Sequence, residues 1–145
     1  MKKVQRQKGF TLIELLVVMA ILALLAALVG PRLFSKVDEG KQKAALTQIG
    51  LFEQALDIFR LDVGRYPSTE EGLKALREKP SEAENWGGPY LKKEIPLDPW
   101  KHDYVYACPG EEGREYDIIS YGQDGSSGGE GNNTDIVSWK DVNSK

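Results

Sequence analysis

Few side chains in this sequence could carry out bond chemistry. The chain of 145 residues has one histidine, His102, and one cysteine, Cys108. His102 stands beside Asp103 in a turn-like stretch, which predicts a surface histidine, and Cys108 at a strand end is typical of a small packed residue. Ser120 and Ser126 have no histidine at a spacing that supports a nucleophile and its base. We therefore do not expect an enzyme.

Oxygen donors gather in a glycine-rich stretch, residues 120–136. Asp124, Asp135, Asn132 and Asn133 supply side-chain oxygens, and the glycines allow backbone carbonyls to turn inward. Hard oxygen donors in a flexible cage suit Ca²⁺ better than Zn²⁺ or Mg²⁺, although the spacing is not that of an EF-hand. By composition alone the stretch is also typical of a flexible linker. Apolar residues on both sides predict that its ends are fixed to the core: Ile118, Ile119, Ile136 and Trp139.

A carboxylate also stands near the start of a lipid-like segment. Glu14 and Thr11 are the polar residues in an otherwise apolar run of 20 residues, 10–29, which is long enough to cross a bilayer. A charged side chain at the centre of a membrane helix costs about 2.5–3.5 kcal/mol on insertion scales. Glu14 therefore needs a partner.

The charge distribution predicts how the segment crosses the membrane. Residues 1–9 carry four basic side chains and no acid, which leaves 15 of the 19 basic residues against 22 acidic ones. Lysine and arginine before a span predict a cytoplasmic N-terminus, with the remainder across the membrane. No basic stripe follows residue 9, so nucleic-acid binding is not expected. The alternative is a secretory signal peptide cut near Ala26-Ala27, but the length of the run and the helical pattern beyond it argue against this.

Helical periodicity continues past the apolar run. Gly30-Pro31 predicts a kink or a locally melted stretch, not the end of the helix. Gly64 offers a C-terminal stop. We predict one long helix whose first half suits lipid and whose second half packs one apolar face on its own head. That face recurs at helical spacing: Ala45, Ile49, Phe52, Leu56, Phe59 and Val63.

The remainder predicts a small head in which a short antiparallel sheet covers one helix face. A helix should start at an N-cap, Ser68 or Thr69, with acids in its first turn, and residues 79–99 should form an ordered loop. Residues 104–108 and 115–121 predict a hairpin, and residues 136–139 could add a third strand or close the core.

The heptapeptide from Lys8 to Glu14, Lys-Gly-Phe-Thr-Leu-Ile-Glu, resembles the class III signal of type IV pilins and type II secretion pseudopilins. In that family a prepilin peptidase cuts after the glycine, here Gly9, and methylates the new N-terminal residue, here Phe10. The resemblance implies that Glu14 pairs with the Phe10 amine of a neighbouring subunit and sets the register of a filament. Within one helix the same two groups could also pair locally.

The head resembles that of the major pseudopilins, in Arg65-Tyr-Pro67 and in Asp98-Pro-Trp100 followed by Tyr104 and Tyr106. Type IV pilins usually end in a disulfide-bounded loop, which a chain with one cysteine cannot form. The resemblance also implies one structural Ca²⁺ in the glycine-rich loop. Its implied ligands are the side chains of Asp124 and Asp135, the backbone oxygens of Tyr121 and Ser126, and either or both of Asn132 and Asn133.

We therefore predict an α+β fold in three parts. These are a cleaved basic leader, residues 1–9; a helix, residues 10–63, with a membrane span at about 10–33; and a periplasmic globular head, residues 64–145, with a C-terminal metal-binding loop.

The resemblance implies a structural subunit of the periplasmic pseudopilus of a type II secretion system, anchored in the bacterial inner membrane by a single span. The implied partners are copies of itself in a helical filament, minor pseudopilins, the inner-membrane assembly platform, prepilin peptidase and the lipid bilayer. Two alternatives remain open: a type IV pilin or minor pilin-like subunit, and a monomeric signal-anchored calcium-binding module. A monomer would have no use for Glu14.

Processing after Gly9 predicts a mature chain that begins at Phe10 and carries one added methyl group. Intact mass and N-terminal sequencing of the membrane-bound protein should show the loss of residues 1–9 and that methyl group. A mature chain that begins near residue 27 would instead indicate an ordinary signal peptide, and would lack both Phe10 and Glu14.

Overall fold

The computed structural model of the chain describes residues 9–140, so most of the predicted leader lies outside the described residues. Helix α1 is Leu12–Val63, and the strands are β1, Val105–Ala107, β2, Asp117–Ser120, and β3, Ile136–Val137. Three short 3-10 helices complete the elements: Leu73–Leu76, Glu111–Gly113 and Gly131–Asn133. The chain divides into two compact units, Met1–Val37 and Asp38–Lys145. A long N-terminal helix and a small head with an antiparallel sheet confirm the predicted α+β fold.

The first unit is the apolar part of α1. Its large apolar side chains are exposed, as a lipid-facing segment requires, and α1 is long and apolar enough to cross a membrane by length and composition. Pro31 lies inside the helix. The prediction that Gly30-Pro31 does not end the helix is therefore confirmed.

The second unit has its core on the predicted face of α1. Ala45, Phe52, Leu56 and Phe59 are fully buried, and Ile49 is 1% exposed. The ring of Tyr104 meets that of Phe52 edge-on, with 5.1 Å between centroids. Burial of each large apolar side chain contributes about 1.5–3 kcal/mol. Residues from the rest of the head close the core: Leu73, Leu76, Ala83, Tyr106, Ile118 and Ile136.

The helix predicted after Ser68 is much shorter than expected. The backbone N–H of Ser68 donates to Glu71 Oε2 at 2.8 Å and that of Glu71 donates to Ser68 Oγ at 3.2 Å, which is a capping box. Gly72 then has a φ of 60°, which interrupts helical geometry, so only the 3-10 turn Leu73–Leu76 follows. Leu73 and Leu76 nevertheless lie in the core.

The three strands form one antiparallel sheet in the order β1-β2-β3. Tyr106 pairs with Ile118 and Ser120 with Ile136. The predicted hairpin and third strand are therefore present. Arg114 closes the turn between β1 and β2. Its guanidinium contacts the Asp117 carboxylate at 2.6 Å, and this contact lowers the pKa of that carboxyl. The same guanidinium lies 3.9 Å from the centroid of the Trp139 ring.

The turn at residues 98–102 is hydrogen-bonded to Ser120, the last residue of β2. Asp98, 2% exposed, accepts from the backbone N–H groups of Trp100 and His102 at 3.0 and 2.9 Å and from Ser120 Oγ at 2.6 Å. The chain closes this turn with Lys101 at a φ of 76°, in the left-handed region that a side chain disfavours.

Lys101→Gly should stabilise the protein by about 1 kcal/mol, because glycine removes the left-handed penalty. For a chain of this size that corresponds to a rise in Tm of about 2–4 °C in a thermal melt. Lys101→Ala is the matched control, since it removes the same charge but keeps Cβ. Equal melting temperatures for the glycine and alanine variants would contradict the backbone explanation.

Candidate functional site

The predicted cleavage site stands just before the first turn of α1. Gly9 and Phe10 are both exposed and precede the helix, and the Phe10 side chain is 87% exposed. The bond between them thus lies outside regular structure.

Glu14 caps the helix through its pairing with Thr11. The Thr11 backbone N–H and hydroxyl both donate to Glu14 Oε2 at 2.9 Å, and the Glu14 N–H donates to Thr11 Oγ1 at 3.2 Å. This reciprocal arrangement is a capping box. Our sequence reasoning missed it, although the signal was present: threonine, two residues, then glutamate before an apolar run.

The glycine-rich loop orders itself through its own acids. Asp124 Oδ1 accepts from the Ser126 N–H at 3.1 Å, and Asp135 Oδ2 accepts from the Gly128 N–H at 2.9 Å. Several glycines have positive φ, and a Cβ on Gly122 would stand 2.9 Å from the Asn132 carbonyl oxygen. Glycine at 122 is therefore required for the two sides of the loop to approach each other.

One oxygen of this loop has the character of a cation ligand. Asp135 Oδ1 is buried and has no hydrogen-bond partner among the described residues. Asp135 lines a cavity of about 300 Å³ together with Tyr121 and Ser127. A buried carboxylate oxygen without a donor is costly unless a cation or donor approaches it, so this donor set fits a hard cation.

The other predicted ligands are differently placed. The Asn132 side-chain amide donates to Asp38 Oδ2 at 2.7 Å. The Asn132 backbone carbonyl oxygen accepts from the Gln123 N–H at 3.0 Å. The Asn133 carbonyl turns toward Gly129, where a Cβ would stand 2.6 Å from it. Within residues 9–140 no three His, Cys, Asp or Glu side chains converge into a cluster that could hold a metal. Backbone carbonyls would have to complete the ligand set, and the ligand set stays a prediction.

His102, for which the sequence predicted a surface position, contacts the glycine-rich loop. Its Nδ1 lies 3.1 Å from the Gly122 carbonyl oxygen and 4.0 Å from Asp98 Oδ2. A Cβ on Gly125 would stand 3.2 Å from the ring. His102 therefore joins the 98–102 turn to the base of the glycine-rich loop.

Burial, followed by the charge of Asp98, raises the pKa of the nearby Tyr104 to about 12, so the Tyr104 phenol stays neutral.

Two family models match the chain. The model described as "Type II secretion system (T2SS), protein G" matches residues 32–139, and that described as "Prokaryotic N-terminal methylation motif" matches residues 4–30. Together they include both candidate sites.

Relatives of similar length are found in several bacteria, under the description "Type II secretion system core protein G". The chain is 44% identical to that of Vibrio cholerae serotype O1 over 142 residues, covering 96% of each chain. It is 44% identical to that of Pseudomonas aeruginosa over 138 residues, covering 93% of this chain and 96% of the relative. A solved structure, the major pseudopilin from the type 2 secretion system of enterohaemorrhagic Escherichia coli, is similar with a TM-score of 0.63 and 36% identity. The match covers 72% of this chain and 87% of that one.

Proposed function

Because the chain belongs to the protein G family of the type II secretion system, we propose that Glu14 and the glycine-rich loop are what it uses to assemble. The chain is a structural subunit of the pseudopilus and carries the N-terminal methylation motif of such subunits. The type IV pilin and the monomeric module are not favoured. The family is a structural one, and we propose that the protein has no enzymatic activity.

The N-terminal helix anchors the subunit in the membrane and supplies its contacts in the filament. We propose a single pass with the N-terminus in the cytoplasm and the head in the periplasm. The specific partners that we propose are prepilin peptidase, the inner-membrane assembly platform, minor pseudopilins and further copies of the chain. Cleavage by the peptidase after Gly9 would create an amine on Phe10, four residues before Glu14.

We propose that the Glu14 carboxylate pairs with the Phe10 amine of the next subunit. The capping box supports this pairing, because it orients the carboxylate: Oε2 is held by two donors of Thr11 at 2.9 Å. A cation and a carboxylate at apolar depth offset each other far better than either is tolerated alone. A buried polar pair of this kind fixes the register between helices.

We also propose that the glycine-rich loop binds one Ca²⁺. Asp135 would be the central ligand, because Oδ1 is buried without a partner. Asp124, the carbonyl oxygens of Tyr121 and Ser126, and Asn133 would complete the site. Asn132, whose side-chain nitrogen donates to Asp38, would contribute its side-chain oxygen. The ion would stabilise the head and present the loop as a fixed surface to neighbouring subunits.

Glu14→Gln separates the two roles of Glu14, because glutamine still forms a capping box but carries no charge. We expect Glu14→Gln and Glu14→Leu to insert into the membrane at wild-type levels and to form less than about a tenth of the wild-type filament, since a lost buried ion-pair partner costs about 3–5 kcal/mol. Filament yield after overexpression, by shearing and electron microscopy, is the measurement. Filaments of Glu14→Gln at wild-type yield would assign Glu14 to capping alone and overturn the pairing.

Calcium at about a hundredfold excess over its Kd should raise the stability of the metal-stripped protein by about 2.7 kcal/mol. We expect Asp135→Asn to abolish most of the accompanying rise in Tm. Glu130→Gln is the matched control, because it removes the same charge from the same loop at a residue outside the proposed ligand set. The calcium site is refuted if stripped protein gains no Tm in millimolar calcium, or if both variants lose the gain equally.

A further inference from the structure

The tip of the glycine-rich loop is hydrogen-bonded to α1. The Asn132 side-chain amide donates to Asp38 Oδ2 at 2.7 Å, a contact between residues 94 positions apart in the chain. The Gln42 side-chain amide donates to the Gly131 carbonyl oxygen at 2.9 Å. Asp38 and Gln42 are four residues apart, so they stand on one side of the helix, one turn from each other.

These contacts lie on helix turns that the hydrophobic core does not hold. Ala45 is the first fully buried residue of α1 within the second unit, which begins at Asp38. None of residues 38–44 is buried. This stretch of seven residues forms about two turns and is about 10 Å long. Helix turns with few buried apolar contacts open at low free-energy cost, so two side-chain hydrogen bonds can decide how firmly this stretch stays helical.

We propose that Asp38, Gln42, Gly131 and Asn132 form a latch through which the glycine-rich loop holds the helix turns that precede the core. The loop tip has regular structure of its own: it is a 3-10 turn, Gly131–Asn133, and the Gln123 N–H donates to the Asn132 backbone carbonyl oxygen across the loop at 3.0 Å. The Asp38 carboxylate makes its bond charge-assisted, which is stronger than a bond between neutral groups.

The latch connects loop order to helix order. A ligand that orders the loop binds at a lower cost in conformational entropy when the helix turns already hold the loop tip. By linkage, the bound ligand must also protect those helix turns from opening. This consequence, unlike the latch itself, rests on the proposed calcium site. In an assembled subunit the latch would set how much of residues 38–44 stays helical.

Hydrogen exchange measured by mass spectrometry on the full chain in detergent tests the latch. Asn132→Ala should speed amide exchange in peptides covering residues 38–44 by roughly three- to tenfold, as expected for one lost side-chain hydrogen bond. Peptides covering residues 49–59 should not change. Asp38→Ala should also speed exchange there, although the higher helix propensity of alanine offsets part of the increase. Combining the two substitutions should add nothing further, because both remove the same bond.

Lys43→Ala is the matched control, since Lys43 is exposed on the same stretch and its side chain is outside the latch. Wild-type exchange at residues 38–44 in Asn132→Ala would overturn the latch, and so would fully additive effects of Asp38→Ala and Asn132→Ala. Either result would mean that the core and the backbone alone hold these turns.

Addition of calcium to wild type and to Asp38→Ala separates the latch from the calcium site. Protection of both residues 128–135 and residues 38–44 in wild type, with the helix protection lost in Asp38→Ala, supports the coupling. Protection of the loop without the helix in wild type overturns it. Protection of neither segment refutes the calcium site, while the exchange of the variants without calcium still decides the latch.

Discussion

A carboxylate in an otherwise apolar membrane helix must be satisfied at every stage of the life of this protein, and Glu14 is that carboxylate. In the single chain the structure satisfies it locally, with two donors from Thr11 at 2.9 Å. That arrangement uses one oxygen of the carboxylate and leaves its negative charge uncompensated. A cap is therefore sufficient to begin the helix but not to remove the cost of charge at apolar depth. A cation can do that, and the proposed processing after Gly9 would create one without adding a residue.

The second constraint is in the head, where the glycine-rich loop must be held in one conformation. Its core is small and one-sided, because one face of α1 supplies most of the fully buried aromatic and aliphatic side chains. The loop is fixed around that core by polar contacts: His102 at the Gly122 carbonyl, Asp98 at Ser120, and the helix at Gly131 and Asn132. Individual contacts of this kind contribute about 0.5–1.5 kcal/mol, so the loop depends on several acting together.

Periodicity and turn chemistry predicted the parts of the fold that depend on burial. The stripe from Ala45 to Phe59 and the hairpin that covers it follow from apolar spacing, which a single chain displays openly. The short 3-10 turn after Ser68 did not follow, because the capping box there is sound and only the positive φ of Gly72 stops the helix. The contacts of His102 and Asn132 could not be predicted either, since each joins residues that are 20 or more positions apart and no periodicity relates them.

The candidate sites show the same difference between what residue type predicts and what only the fold shows. The sequence predicted Asp135 as a ligand by residue type, but only the structure shows that one of its oxygens is buried without a donor among the described residues. The residue type of Asn132 suggested a ligand, whereas in the fold its side-chain amide donates a hydrogen bond to Asp38. An amide on a glycine-rich loop can turn its oxygen toward a cation or its nitrogen toward a carboxylate, and composition does not distinguish these uses. The acidic partner on α1 fixes the nitrogen of Asn132, because a carboxylate accepts only from the nitrogen. Asn132 thus ties the loop to the helix through that nitrogen, and the proposed ion would depend on its side-chain oxygen and the other oxygens of the loop.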